Sequence, residues 1–158
     1  MNSLINNNDD LEINLTRDYN YSDEDDFPNG ITINRTVTIN GNGYTIDANG
    51  KARIFHVTNS TVVFKNITFA NGKPYYTENG GAILGASTAI NCTFYNNKAY
   101  DGGAMYEGTA INSTFIDNNA KSGGGGAIYH GKAINSTFIR NIACYGGDKA
   151  NQGYRQNY

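Results

Sequence analysis

Cysteine is scarce in this chain, which has two, Cys92 and Cys144, among 158 residues. Neither belongs to a Cys-x-x-Cys pair, and no histidine stands near them at the spacing of a zinc ligand set. The sequence therefore predicts no metal site, no thioredoxin-type centre and no bound cofactor. A disulfide would require a fold that brings the two Cα atoms within about 7 Å, and we expect both thiols to be free.

A dominant charge is also lacking. The 12 basic and 14 acidic residues give a formal net charge of −2, and the basic residues are scattered singly. No stripe of positive charge is present to follow a phosphate backbone, so nucleic acid is not an expected partner. No run of 18 apolar residues exists, which predicts that no helix spans a membrane. The first ten residues lack the basic and apolar regions of a secretory signal peptide, so none is predicted in this chain.

Large apolar residues are few, because Leu, Ile, Val and Phe together make up 31 of the 158 residues. This fraction is close to the level at which disorder becomes a serious interpretation. In their place the chain has 19 glycines and 25 asparagines. A weakly charged chain of this composition folds only if its architecture needs little apolar volume per residue.

Two short motifs recur in phase with each other. Copies of the first, Ala-Ile-Asn-Cys/Ser-Thr-Phe, lie at residues 89–94, 110–115 and 133–138, with a looser copy at 66–69. Copies of the second, Gly-Gly-Ala-Ile/Met, lie at residues 80–83, 102–105 and 125–128, with a decayed copy at 146–147. The intervals between the phenylalanines are 25, 21 and 23 residues. Self-similarity at such a period is typical of repeat architectures.

Each repeat has the pattern of strand, turn and strand. Apolar and polar residues alternate in the first motif, as in a half-buried strand, and the glycine pair supplies the positive φ or close backbone approach that a sharp corner needs. No stretch has a helical period, and the repeats are too short for propeller blades. The sequence therefore predicts an all-β fold, a short single-stranded parallel β-helix of about five coils. We expect a cap with one strand (12–15) in residues 1–30, the coils in residues 31–147 and a polar tail in residues 148–158.

Equivalent residues of a parallel β-helix stack on one another, about 4.8 Å apart from coil to coil. One interior column is predicted to consist of Phe69, Phe94, Phe115 and Phe138. A second interior column is predicted to consist of Ile90, Ile111 and Ile134. Because an amide both donates and accepts hydrogen bonds, an inward ladder is expected at Asn97, Asn118 and Asn141. The asparagines expected to point outward are Asn91, Asn112 and Asn135.

Many β-helix proteins cleave polysaccharides, so acid–base pairs on neighbouring coils are relevant. Alignment on the glycine motif places Glu107 beside His130, and a carboxylate against an imidazole is able to act as an acid–base pair. We prefer the interpretation of a solvated cross-coil pair. Asp117 is expected to form a surface ion pair with Arg140, and the acidic run at residues 23–26 is interpreted as a solvated turn rather than a calcium site.

The 12 tyrosines are the remaining hint of function. Tyr95, Tyr106 and Tyr129 are expected to face outward. Rigid exposed aromatic rings are surfaces on which sugar rings and partner proteins stack. These three tyrosines are therefore the candidate binding residues.

The alternation of Gly-Gly-Ala-Ile with Phe-x-x-Asn resembles the repeat of polymorphic outer membrane proteins. It resembles still more closely the adhesin-like surface proteins of methanogenic archaea, whose β-helix regions open with a segment similar to residues 37–47 (Val-Thr-Ile-Asn-Gly-Asn-Gly-Tyr-Thr-Ile-Asp). The resemblance covers about residues 10–147. It implies a right-handed, pectate-lyase-like β-helix, a location outside the cell or on its surface, and a role in adhesion without defined catalytic residues.

Proteins of that kind are generally longer, with a signal peptide and an anchor, so we expect this chain to be a shortened copy. Terminal coils without polar caps favour end-to-end self-association. The leading hypothesis is a non-enzymatic adhesin-like protein that binds glycans or cell-surface proteins. A polysaccharide lyase or hydrolase that uses Glu107 and His130 is the second hypothesis, and a structural or non-functional remnant is the third.

Overall fold

A computed structural model of the protein describes residues 1–7, 9–22 and 27–144, and the backbone of one further strand at Tyr154–Arg155. Apart from a short helix, α1 (Asn2–Asn6), the described elements are short strands that pair in parallel. Each coil lies in register with its neighbours, so that equivalent residues are opposite one another. The predicted parallel β-helix is confirmed, and it has about six turns.

Each turn of the solenoid contributes three or four strands. The first turn contains β1 (Glu12–Asn14), β2 (Tyr19–Asn20) and β3 (Ile31–Ile33). The second contains β4 (Val37–Asn40), β5 (Thr45–Asp47) and β6 (Phe55–Val57). The third contains β7 (Val62–Lys65), β8 (Thr68–Ala70) and β9 (Ile83–Leu84). The fourth contains β10 (Thr88–Ile90), β11 (Thr93–Tyr95), β12 (Lys98–Ala99) and β13 (Met105–Tyr106). The fifth contains β14 (Thr109–Ile111), β15 (Thr114–Ile116), β16 (Asn119–Ala120) and β17 (Ile128–Tyr129). The sixth contains β18 (Lys132–Ile134), β19 (Thr137–Ile139) and β20 (Ile142–Ala143), and β21 (Tyr154–Arg155) pairs with β18.

Four sheets run along the solenoid. Sheet A consists of β1, β4, β7, β10, β14, β18 and β21, and sheet B of β2, β5, β8, β11, β15 and β19. Sheet C consists of β3, β6, β9, β13 and β17, and the short sheet D of β12, β16 and β20. Because Ile13 of β1 lies opposite Ile39 of β4, the ladder begins before residue 31 and has one turn more than predicted. Ile5 of α1 is buried against this first turn, and the proposed domain boundaries at residues 30 and 147 remain a prediction.

The predicted phenylalanine column is confirmed. The ring centroids of Phe69 and Phe94 are 4.9 Å apart, those of Phe94 and Phe115 4.6 Å, and those of Phe115 and Phe138 5.0 Å, all in stacked geometry. The first three rings are fully buried, and Phe138 is partly buried at the last described turn. Continuous stacking explains how a chain with few large apolar residues encloses a core.

The predicted interior column of isoleucine is wrong. Ile90, Ile111 and Ile134 are register partners, but they are half-exposed on the outer face of sheet A. Their neighbours in the interior are the buried Ala89, Ala110 and Ala133.

The reason lies at the corner that follows, where the asparagine has a positive φ: 54° at Asn91, 48° at Asn112 and 47° at Asn135. Asparagine tolerates this left-handed conformation better than most residues. The corner interrupts the alternation of the strand, so that Ala89 and Cys92, three residues apart, both point inward. The three asparagines themselves are exposed, as predicted.

The predicted inward asparagine ladder is confirmed. Asn97 and Asn118 are fully buried and Asn141 is 7% exposed. Asn118 Oδ1 accepts hydrogen bonds from the backbone N–H and from Nδ2 of Asn97, both at 3.0 Å. Asn141 Oδ1 accepts the equivalent pair from Asn118, at 3.0 and 2.9 Å. Each Nδ2 also donates to a phenylalanine carbonyl of the preceding turn, which ties the ladder to the aromatic column.

The glycine pair forms the corner before sheet C, and its two members have different roles. Gly102 has a φ of 61°, a left-handed conformation that favours glycine. A Cβ on Gly103 would lie 2.1 Å from the carbonyl oxygen of Gly126 in the next coil. The first glycine therefore permits the turn, and the second permits the coils to stack.

Candidate binding surface

The described residues include few side chains arranged for metal binding or nucleophilic catalysis. They contain no group of three or more His, Cys, Asp or Glu side chains that could hold a metal ion. Cys92 and Cys144 are free, as expected, and burial raises the pKa of Cys92 to about 11, so that its thiol stays protonated. The acidic run at residues 23–26 and the glycines at 146–147 lie outside the described residues.

The outer face of sheet C carries the first aromatic cluster. Tyr106 and Tyr129 are register partners on β13 and β17, and their ring centroids are 5.7 Å apart. The ring of His130 packs edge to face against both tyrosine rings. Its centroid is 4.3 Å from that of Tyr129 and 5.8 Å from that of Tyr106. Tyr129 lies over Gly124, where an added Cβ would be 2.8 Å from the ring. The two tyrosines are half-buried by these contacts, and their rings are held in place by the sheet and the glycine corner.

Glu107 and His130 follow these tyrosines and lie on neighbouring coils, as the alignment on the glycine motif predicts. Both are exposed, and both have a positive φ, 69° for Glu107 and 53° for His130. No hydrogen bond or ion pair joins the two side chains, each of which belongs to the described part of the chain. The imidazole instead contacts the tyrosine rings. The geometry therefore contains no preformed acid–base pair at this corner.

Tyr95 lies on a different face. It is 45% exposed on β11 of sheet B, where its register partners are Ala70 and Ile116. The three predicted tyrosines are therefore divided: Tyr106 and Tyr129 form one cluster, and Tyr95 lies on another sheet.

The corner after β15 carries the predicted surface ion pair. Arg140 Nε donates to Asp117 Oδ1 and Arg140 Nη2 donates to Asp117 Oδ2, both at 2.7 Å. The hydrogen bond from Arg140 lowers the pKa of Asp117, and the same bond raises the pKa of Arg140. Arg140 is largely exposed, so the pair is a surface feature whose net contribution is screened by solvent.

A second group of tyrosines lies on the segment formed by residues 72–81, which we call the 72–81 loop. Sequence reasoning missed this group. Tyr75 is 70% exposed and Tyr76 81% exposed, which makes them the most exposed tyrosines of the described chain. The ammonium of Lys121 lies 4.9 Å from the centroid of the Tyr76 ring. One signal in the sequence could have found them: Pro-Tyr-Tyr occurs in the stretch between Phe69 and the glycine pair, where the repeats do not prescribe it.

A buried arginine holds this loop. Arg53 is 2% exposed, and its guanidinium donates to the carbonyls of Asn29, Asn79 and Gly80 and to the carboxylate of Glu78. Burial lowers its pKa, while the charge of Glu78, 3.1 Å away, acts in the opposite direction. Removal of this side chain would break its hydrogen bonds to three carbonyls, of which that of Gly80 is buried.

One further histidine lies near this ion pair. The pKa of His56 is lowered, first by partial burial and then by the positive charge of Arg53, while Glu78 raises it. It lies on β6, opposite Leu84 of β9, and is separated by that strand from the tyrosine cluster of β13 and β17.

These features define a class: a short parallel β-helix whose glycine, asparagine and phenylalanine columns form the scaffold and whose tyrosines lie on the outside. A family model described as a pectate lyase-like adhesive domain matches residues 3–123, and the chain belongs to this family. No curated protein and no solved structure matches the chain.

The family membership confirms the adhesin-like part of the expected resemblance. The archaeal affiliation and the outer-membrane-protein type of repeat remain predictions. The description of the family names an adhesive domain. In the portion of the chain that the structure describes, no helix has the length and apolar character needed to cross a membrane.

Proposed function

We propose that the protein is a non-catalytic adhesion module at the cell surface that binds glycans or cell-surface proteins through its outward tyrosines. The observation that carries the proposal is the cluster of Tyr106, Tyr129 and His130. The tyrosines lie on two adjacent strands, His130 directly follows the second of them, and the ring centroids are 4.3 to 5.8 Å apart. Aromatic rings that are already immobilised provide contact area at a low entropic cost on binding.

The same cluster argues against a catalytic role. Polysaccharide cleavage by paired carboxyl groups needs two of them about 5–10 Å apart, and Glu107 has an imidazole, not a second carboxylate, as its neighbour on the next coil. That imidazole contacts tyrosine rings. Adhesion requires no such pair.

The test compares the unmodified chain with Tyr106→Ala/Tyr129→Ala in glycan-array and cell-binding assays. Loss of a large aromatic contact from an interface commonly weakens binding by more than about tenfold. Leu11→Ala provides the control, since Leu11 is 72% exposed in the first turn, away from the cluster and from Tyr95. Retained binding by the double variant would remove the cluster from the proposal, and Tyr95→Ala then tests the other candidate face.

The enzymatic alternative is tested by an assay of polysaccharide cleavage. Release of reducing ends or unsaturated products from polysaccharides would contradict the proposal, provided that Glu107→Gln and His130→Gln each abolish it. An absence of all binding and all turnover would favour a structural or non-functional remnant. End-to-end self-association is tested separately, by light scattering over a range of protein concentrations.

A further inference from the structure

We infer that the 72–81 loop and the coil corner beside it form a binding subsite for a carboxylated sugar residue. The residues of this subsite, which we name the Tyr–Lys cluster, are Tyr75, Tyr76, Tyr100 and Lys121. The inference rests on the proposed adhesive function and adds to it a second location and a ligand class.

The rings of the cluster are exposed on an anchored support. The backbone N–H of Glu78 donates to the carbonyl of Tyr75 at 3.0 Å, which closes a turn around Tyr76. The guanidinium of Arg53 fixes the base of the loop. Tyr75 and Tyr76 are nevertheless more than two-thirds exposed. Large aromatic side chains on a fixed turn cost less entropy to immobilise on binding than the same side chains on a free segment.

The adjoining corner brings a third tyrosine and a lysine to the loop. Ala99 and Ala120 are register partners, so the residues that follow them, Tyr100 and Lys121, lie one above the other. The backbone N–H of Tyr100 donates to the carbonyl of Glu78 at 2.8 Å, which joins this corner to the loop. Tyr100 is 38% exposed, and the contact of Lys121 with Tyr76 closes the cluster.

Lys121 is the cationic group of the cluster, and the two acidic side chains beside it are held by other partners. Glu78 pairs with Arg53 at 3.1 Å, and Asp101 Oδ1 accepts the backbone N–H of Gly124 at 2.7 Å. Among the described residues, Lys121 has no carboxylate partner. Its interaction with the Tyr76 ring is of the cation–π type, which is weak at an exposed site. A ligand carboxylate would therefore find, beside an aromatic face, an ammonium that forms no ion pair with a described residue.

A sugar with a carboxylate matches both features. The C–H face of a pyranose ring is apolar and packs on an aromatic ring, while a carboxylate forms a charge-assisted hydrogen bond with the lysine ammonium. A neutral sugar satisfies only the first feature. Hexuronates and sialic acids share the required chemistry, and the experiment distinguishes them.

Three probes are titrated against the full chain by calorimetry: a hexuronate tetrasaccharide, a sialylated trisaccharide and the carboxyl-reduced form of the first. The variants are Tyr76→Ala and Lys121→Gln. The controls are Lys132→Gln, which removes an exposed lysine of β18, and Leu11→Ala, which removes an apolar side chain that is 72% exposed in the first turn. All four substitutions are at solvent-exposed side chains, and circular dichroism verifies that each variant is folded.

We expect at least one carboxylated probe to bind, and the carboxyl-reduced probe to bind about tenfold more weakly or not at all. Lys121→Gln should weaken the carboxylated probe about five- to twentyfold and leave the reduced probe unaffected. Tyr76→Ala should weaken every probe whose binding to the unmodified chain is measurable. Lys132→Gln should remain within about twofold of the unmodified chain, apart from the general effect of charge on association.

Equal affinity for the carboxylated and reduced probes would overturn the inference, as would an effect of Lys121→Gln no larger than that of Lys132→Gln. Adhesion that depends on Tyr106 and Tyr129 but not on Tyr76 or Lys121 would overturn it while leaving the proposed function intact. A protein partner with no glycan binding would have the same consequence. A chain that neither binds any probe nor adheres to cells would overturn both proposals.

Discussion

The buried asparagine ladder allows the stability of the scaffold to be tested at one side chain. Asn118 occupies the middle position, between Asn97 and Asn141. Its side chain takes part in four hydrogen bonds of 2.9 to 3.0 Å: Oδ1 accepts two from Asn97, and Nδ2 donates to Asn141 Oδ1 and to the carbonyl of Phe94. Asn118→Ala removes all four and leaves the buried backbone N–H of Asn97 without its acceptor.

The expected destabilisation follows from the number of bonds. An intramolecular hydrogen bond contributes about 1 kcal/mol net, and a buried group left unsatisfied costs about 1–3 kcal/mol. Together these values predict that Asn118→Ala lowers the free energy of unfolding by about 3–5 kcal/mol. This is a large part of the roughly 5–15 kcal/mol that stabilises a typical domain.

Equilibrium unfolding in urea measures the change, with fluorescence and circular dichroism followed together because repeat proteins do not always unfold in one step. Asn119→Ala is the matched control. Asn119 is the next residue, half-buried on β16, and its side chain forms no hydrogen bond within the described structure. Asn119→Ala should lower the free energy of unfolding by no more than about 0.5 kcal/mol. If the two variants lose similar stability, or if Asn118→Ala costs less than about 1 kcal/mol, the ladder does not stabilise the fold as argued.

Three further predictions follow from the corners and the ionisable groups. Gly103→Ala should lower the melting temperature, since its Cβ would meet the Gly126 carbonyl oxygen at 2.1 Å and overpacking costs about 1–3 kcal/mol; an unchanged melting temperature would show that the coils separate easily. In the native protein, iodoacetamide should modify the exposed Cys144 and leave Cys92 unmodified, because burial raises the pKa of Cys92 to about 11. Mass spectrometry of the native protein that finds both thiols modified would contradict this. Because Arg140 lowers the pKa of Asp117, their pair should contribute stability above the ordinary carboxyl pKa of about 3.9 and lose it as pH falls through the lowered value. Asp117→Asn should therefore reduce the pH dependence of stability in acid, and an acid unfolding curve identical to that of the unmodified chain would rule out this contribution.

The scaffold could be predicted from the sequence because each interior column repeats one residue type. Phe94 and Asn97 recur at the same places in successive coils, so their spacing alone indicates that they stack. The predicted isoleucine column is wrong for a local reason. The period-two pattern that links Ile90 to Cys92 crosses Asn91, whose φ of 54° forms a corner. A residue in the left-handed conformation resets which side of the strand faces inward, and the sequence pattern does not mark that reset.

The candidate surfaces could be predicted less well because outward side chains are not constrained by stacking. Register arguments place Tyr106 beside Tyr129 correctly, since both follow the glycine pair at the same distance. The 72–81 loop has no counterpart in the next coils, and its orientation depends on Arg53, which lies about 20 residues earlier in the chain. A contact of this kind has no periodic signal.

Scaffold residues and outward residues differ in how freely they can be substituted. Substitutions in the phenylalanine, asparagine and glycine columns disturb the neighbouring coils as well as their own, because each residue is supported by its equivalents. Outward positions such as Tyr76 and Lys121 contact few scaffold residues and vary at little cost to the fold. The scaffold therefore allows different ligands to be recognised on the same coils, and the residues that interrupt the repeat, rather than those that form it, are the ones expected to determine which partner this chain binds.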